Sequence, residues 1–145
     1  MKRLQIIRPD QNKNEVIDTR VAQVYKDANE IVVITMKNAG VVDEADITDL
    51  NLVIRKMAEK KAIYKLLDAR ASFDMDKKAK LLTEKEELIS KTKARAIIEP
   101  NSIKASLHNF LKQFSHDKYP QQFFTDYDEA YHWLLDLQQH NNLGF

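Results

Sequence analysis

The chain has 145 residues, with 23 Lys and Arg against 22 Asp and Glu and a formal net charge of +1. That length suits one domain with a core of its own, and the balance leaves no global field to draw it to nucleic acid or to an anionic membrane. It contains no Cys, which excludes disulfides, thiolate metal sites and cysteine nucleophiles.

In chain order, residues 1–19 read as a polar arm with a short edge strand at 4–7. That apolar run is too short for a signal-peptide core, and no stretch reaches the length of a membrane span, so a cytoplasmic protein is expected. Residues 20–25 and 31–36 flank a turn in the manner of a hairpin. The second strand, Ile31-Val32-Val33-Ile34-Thr35-Met36, is apolar on both faces and belongs inside the sheet. The only glycines are Gly40 and Gly144. Turns that cradle phosphates need several, which argues against a P-loop NTPase or a nicotinamide enzyme. A helix capped by Asp43 then carries Ile47, Leu50, Val53, Ile54 and Met57 on one face.

A strand at 64–69 and a loop lead into a second helix, from Asp74 or Asp76 to Ser90. Ala79, Leu82 and Ile89 point inward on it, and Glu84, Glu86 and Glu87 lie on its solvated face. The strand at 94–99 stops at Pro100, which disfavours helix in the residue before it. Ile103, Leu107, Phe110, Leu111 and Phe114 form the stripe of a third helix. A short strand at 121–125 enters a capping box, Asp126 with Glu129. The last helix buries Ala130, Trp133, Leu134 and Leu137, and residues 140–145 form a tail. The order ββαβαβαβα over residues 20–139 predicts a single α/β domain: a mixed sheet opened by a β-hairpin, with βα units and helices packed on it.

The Leu-Leu-Asp-Ala-Arg strand end at 66–70, the strand at 94–100 and the run Phe123-Phe124-Thr125-Asp126-Tyr127-Asp128-Glu129-Ala130-Tyr131-His132-Trp133-Leu134 resemble the SpoIIAA-like, or STAS, family. There the last strand ends in phenylalanine, followed by an acidic turn and by Glu-Ala and Trp-Leu on the closing helix. The resemblance covers residues 20–137. It implies a SpoIIAA-like fold, related to the CRAL-TRIO lipid carriers, and a bacterial interaction or regulatory domain rather than an enzyme. Packing accounts for the motif: Ala130 lets the helix approach the sheet, and a phenylalanine, Trp133 and Leu134 close the core. In the family's anti-sigma-factor antagonists a serine within Asp-Ser-Ser-Gly is phosphorylated. The matching positions here are Asp76-Lys77-Lys78-Ala79, which lack that acceptor, and Ser72 is the nearest hydroxyl.

The working surface of an α/β sheet usually lies past the C-terminal strand ends. Here that region offers Asp68, Arg70, Ser72, Asp74, Asp76, Lys77 and Lys78. Capping explains Asp74 or Asp76, and Asp68 with Arg70 reads as a strand-end ion pair. Lys77 and Lys78 are cations at the positive end of a helix, an arrangement suited to an acidic partner or a phosphate. No Gly-x-Ser-x-Gly elbow exposes a nucleophile, and His108, His116, His132 and His140 lack the spacing of a helical metal site. The sequence therefore predicts a non-catalytic module without cofactor or metal, docking a protein partner through residues 70–78. The alternative is a lipid-carrier-like binder of a small apolar or anionic ligand in a cleft at the same strand ends. The first hairpin offers an edge through which a homodimer can form.

Overall fold

Runs of β-branched residues become strands where the pattern predicts them, and further strands appear where it is too short to read. The computed structural model describes residues 5–7, 15–89, 91–101, 105–113 and 118–142. In chain order its elements are β1 (Gln5–Ile7), β2 (Val16–Asp18), β3 (Ala22–Lys26), β4 (Ile31–Met36), β5 (Gly40–Val42), α1 (Glu44–Ala58), β6 (Ile63–Asp68), β7 (Phe73–Met75), α2 (Lys77–Ile89), β8 (Thr92–Ile98), α3 (Ala105–Lys112), β9 (Gln121–Phe124) and α4 (Tyr127–Asn142). Seven strands form one sheet in the order β1-β2-β3-β4-β6-β8-β9. The first four are antiparallel neighbours, and β4, β6, β8 and β9 run parallel. This is the mixed α/β architecture expected from the element order.

The alternation of side chains along a strand sorts the core into two layers. On one face Ile31, Val33, Leu66, Ala94, Ala96 and Ile98 pack with Ala130 and Leu134 of α4. Alanines on both sides of this contact let α4 lie close, and Trp133 packs beside Phe124 with ring centroids 5.7 Å apart. Phe123 turns to the opposite face, its ring 4.3 Å from that of His108. That face carries Val32, Ile34, Met36 and Ile97 and is covered by Ile47, Leu50, Val53 and Met57 of α1, Ala79 of α2, and Leu107, Phe110 and Leu111 of α3. Ile103 and Phe114, assigned to the α3 stripe from sequence, lie outside the described residues.

Two features depart from the sequence reading. Part of the supposed arm is strand: Ile17 of β2 is buried and pairs with Val24 of β3. The connections after β4 and β6 also meet as a small parallel sheet, β5 with β7. Gly40 begins it in the left-handed region, φ 65°, which a glycine adopts without strain. The Asp76 amide donates to the Val42 carbonyl at 3.1 Å at its far end.

Arg20 ties the hairpin to α1. Its Nε and Nη2 donate to the two oxygens of Asp46 at 2.8 and 2.6 Å, and Nη1 and Nη2 reach the carbonyls of Ala39 and Val41 at 3.1 and 3.0 Å. Asp46 also closes a capping box with the expected cap, Asp43. The hydrogen bond from Arg20 is the main cause holding the Asp46 carboxyl at about 2, below its ordinary 3.8. A depressed carboxylate stabilises the fold above its unfolded pKa, and that contribution is lost as pH falls through the folded one. Replacing Arg20 by Ala is expected to lower stability at neutral pH by about 1–3 kcal/mol, because a buried acceptor loses its charged donor. It should also flatten the decline in wild-type stability between pH 3.8 and about 2, read by urea unfolding across that range.

Candidate functional site

Between α1 and α2, over the centre of the sheet, lies a cavity of about 460 Å³. Its size falls within the range of about 300–1,000 Å³ common for small-molecule sites. The walls are mostly apolar: Ile34 and Leu67 from the sheet, Leu50 and Ile54 from α1, Phe73 and Met75 from β7. Where α1 contributes these large side chains, α2 contributes Thr83, Glu86 and Glu87, with Ile89 only at the exposed rim, so that helix leaves the space beneath it unfilled. The exposed lining residues, among them Lys60, Lys61, Ile89 and Lys91, gather at the N-terminal ends of β6 and β8. Glu59 and Lys60 take left-handed backbone conformations there, φ 54° and 66°, and end α1. Arg55 of α1 reaches Glu86 of α2 across the groove, Nε to Oε2 at 3.1 Å.

The floor of the cavity is ionic. Lys65 and Arg95 sit side by side in register on β6 and β8, only 6% and 4% exposed. Their counter-ion is Glu87 of α2, 8% exposed. Arg95 Nη1 donates to Glu87 Oε2 at 2.8 Å, the Tyr119 hydroxyl donates to Oε1 at 2.9 Å, and Lys65 Nζ stands 3.6 Å from Oε2. Arg95 Nε also donates to Gln121 Oε1 at 2.7 Å. Burial lowers the Lys65 pKa from its ordinary value, with Glu87 beside it opposing that shift. For Glu87, burial pulls the pKa up, but the charges of Lys65 and Arg95 more than reverse it. Burial pushes the Tyr119 phenol well up, which keeps it a proton donor to Glu87.

These groups are what the sequence reading missed. Ile89, expected inward on α2, is 69% exposed, and Glu87, expected in solvent, is buried. The reason is electrostatic: two cations buried in adjacent central strands require an acid, and α2 turns its glutamate to them rather than its isoleucine. The available signal was a basic residue flanked by apolar neighbours in each of two central strands, Lys65 between Tyr64 and Leu66 and Arg95 between Ala94 and Ala96, where an uncompensated charge is not tolerated.

The seven residues singled out from sequence gather at the C-terminal strand ends. Asp68 accepts two bonds from the Arg70 guanidinium, at 2.9 and 2.8 Å, which makes the strand-end pair. The Ser72 amide donates to Asn38 Oδ1 at 2.7 Å, Asp74 Oδ1 accepts from the Met75 amide at 3.0 Å, and Asp76 Oδ1 caps α2 through the Ala79 amide at 2.8 Å. Lys77 and Lys78 are exposed. Along β7, Phe73 and Met75 line the cavity, whereas Ser72, Asp74 and Asp76, which alternate with them, do not. His132 has Nδ1 2.9 Å from the Asp128 carbonyl, one turn back on α4.

The ionic floor should respond asymmetrically to substitution. Glu87→Leu leaves two buried cations without their acid and is expected to lower stability by about 3–5 kcal/mol. Lys65→Met should be far milder, since Arg95 and Tyr119 still satisfy Glu87. Urea unfolding of both variants at neutral pH checks the contrast.

A family model described as a domain of unknown function, DUF7793, matches residues 25–138. No curated protein matches the chain. Among solved structures, the chain is similar to an uncharacterized protein of the DUF3478 family with a SpoIIAA-like fold from Shewanella loihica PV-4. The identity is 16%, over 92% of this chain and 93% of that one, with a TM-score of 0.59. That likeness concerns the fold, and it bears out the SpoIIAA-like resemblance read from the strand ends and the closing helix. With the family model matched across the sheet core and all four helices, the chain belongs to the DUF7793 family.

Proposed function

We propose that this domain is a non-catalytic, STAS-like module that holds a small, largely apolar molecule between α1 and α2. The observation that carries this reading is the 460 Å³ cavity, walled by side chains of the sheet, α1 and β7. A gap of this size forfeits dispersion contacts and destabilises the fold in proportion to its volume. A ligand that fills it restores those contacts, and the exposed rim at the N-terminal ends of β6 and β8 supplies the way in. Of the two functions expected from sequence, this is the ligand binder, but the cavity opens at the N-terminal ends of β6 and β8 rather than at the C-terminal strand ends, and none of the seven residues singled out there lines it.

Docking of a protein partner is the second reading. It is favoured by Lys77 and Lys78, exposed in the first turn of α2, which contains no acidic residue. Reversal of both to Glu should remove an acidic partner recovered from native lysate. An unchanged set of partners would eliminate this reading.

The ligand reading is tested with the neutral dye Nile red and by native mass spectrometry. Saturable dye fluorescence at one site per chain is expected, along with extra mass that disappears on denaturation. Leu67→Trp fills the cavity with an indole and should abolish both while thermal unfolding stays cooperative. Dye binding that persists unchanged in that variant would place the dye elsewhere and overturn the reading.

A further inference from the structure

The cavity is layered. On β6 the residues of its face are Ile63, Lys65 and Leu67, successive steps of about 7 Å along the strand. Ile63 lies toward the rim, Lys65 comes next, and Leu67 is farther in. The neighbouring strands repeat the order: Arg95 and Val32 stand beside Lys65, and Ile97 and Ile34 beside Leu67. Charge therefore occupies one level, between a basic rim and an apolar interior that continues to Phe73 and Met75.

Lys65 is the under-served member of the ionic floor. An ammonium has three protons to donate. Among the described residues its ion partner is Glu87 at 3.6 Å, longer than a hydrogen bond. Glu87 already receives closer bonds from Arg95 at 2.8 Å and Tyr119 at 2.9 Å. Buried, short of acceptors and lining the cavity, Lys65 offers a charged anchor to whatever enters.

We propose that the occupant is an amphiphile bearing a single carboxylate, bound head to Lys65 with its chain among Leu50, Leu67, Phe73 and Met75. This rests on the reading of the cavity as a ligand site. A single negative charge matches a single under-served cation. A phosphate dianion would bring a second charge against the Glu87 carboxylate and would demand more donors than this level of the sheet holds out. Lys60, Lys61 and Lys91 at the rim attract an anion toward the entrance.

The test displaces Nile red from the whole chain at neutral pH with dodecanoate and, separately, with dodecanol. The alcohol is the more easily desolvated of the two, so a preference for the acid must come from the site. Wild type should prefer dodecanoate by at least about tenfold, ~1.4 kcal/mol. Lys65→Met should lose that preference while still binding dodecanol, which also shows that the variant is folded. If wild type binds the alcohol as well as the acid, the carboxylate inference fails and the ligand site stands. A preference that survives in Lys65→Met would belong to the rim lysines and overturns the role of Lys65. If neither compound nor the dye binds wild type, both readings fall.

Discussion

The constraint on which this fold depends is the pair of cations in the middle of its sheet. Desolvating an ion costs several kcal/mol even after the protein relaxes, and only a close opposite charge with good hydrogen bonds offsets it. Lys65 and Arg95, adjacent on β6 and β8, therefore dictate what may lie above them. Glu87 supplies the charge, and with it the rotation of α2 is set. Glu87 and Ile89 are two residues apart, on widely separated faces of a helix, so turning the acid toward the sheet turns the isoleucine out. The cavity follows from this, because the face that α2 then presents is short of large apolar side chains.

The opposite side of the sheet shows what happens without such a demand. Ala94, Ala96 and Ala130 bring α4 down onto Leu66 and Ile98, and Leu134 is fully buried among them. One helix suffices there because small residues allow close approach and no charge has to be accommodated. The face beneath α1, α2 and α3 carries the ions and the cavity, so one face of the sheet is closely packed and the other is charged and incompletely filled.

Local rules were legible in the sequence and non-local ones were not. The Asp43 cap, the α1 stripe of Ile47, Leu50, Val53 and Met57, and the Asp126 cap of α4 each depend on residues within a few positions of one another, and each stands where the pattern put it. The hairpin of β3 and β4 was legible for the same reason. β5 and β7 are three-residue strands whose partner lies across an intervening helix and strand, and no short-range pattern announces that. The candidate residues at 68–78 lie together at the C-terminal strand ends, yet their local bonds account for Asp68 as an ion pair, Asp74 as acceptor of the next amide and Asp76 as a cap. Lys65 and Arg95 show locally only as basic residues within strands, and nothing local marks Glu87 as their partner. Their meaning appears only when two strands and a helix are brought together.

The fastenings of the two helices that wall the cavity differ in kind. α1 is secured at its start through a buried carboxylate: the Asp46 side chain is 1% exposed, although the Arg20 that grips it is 44% exposed, and Asp43 and Asp46 cap each other's backbone amides. α2 is joined to the sheet through Glu87 and to α1 through Arg55 and Glu86, whose side chains are 54% and 18% exposed. A pair with so much water at one partner contributes about 0–1 kcal/mol, whereas a buried charge stripped of its partner costs several times that. The bridge over the groove is thus the weak fastening, and the buried acid at its floor is the strong one. It follows that the position of α2 over the cavity is governed by the charge balance at Lys65 and Arg95 far more than by the ion pair visible at the surface.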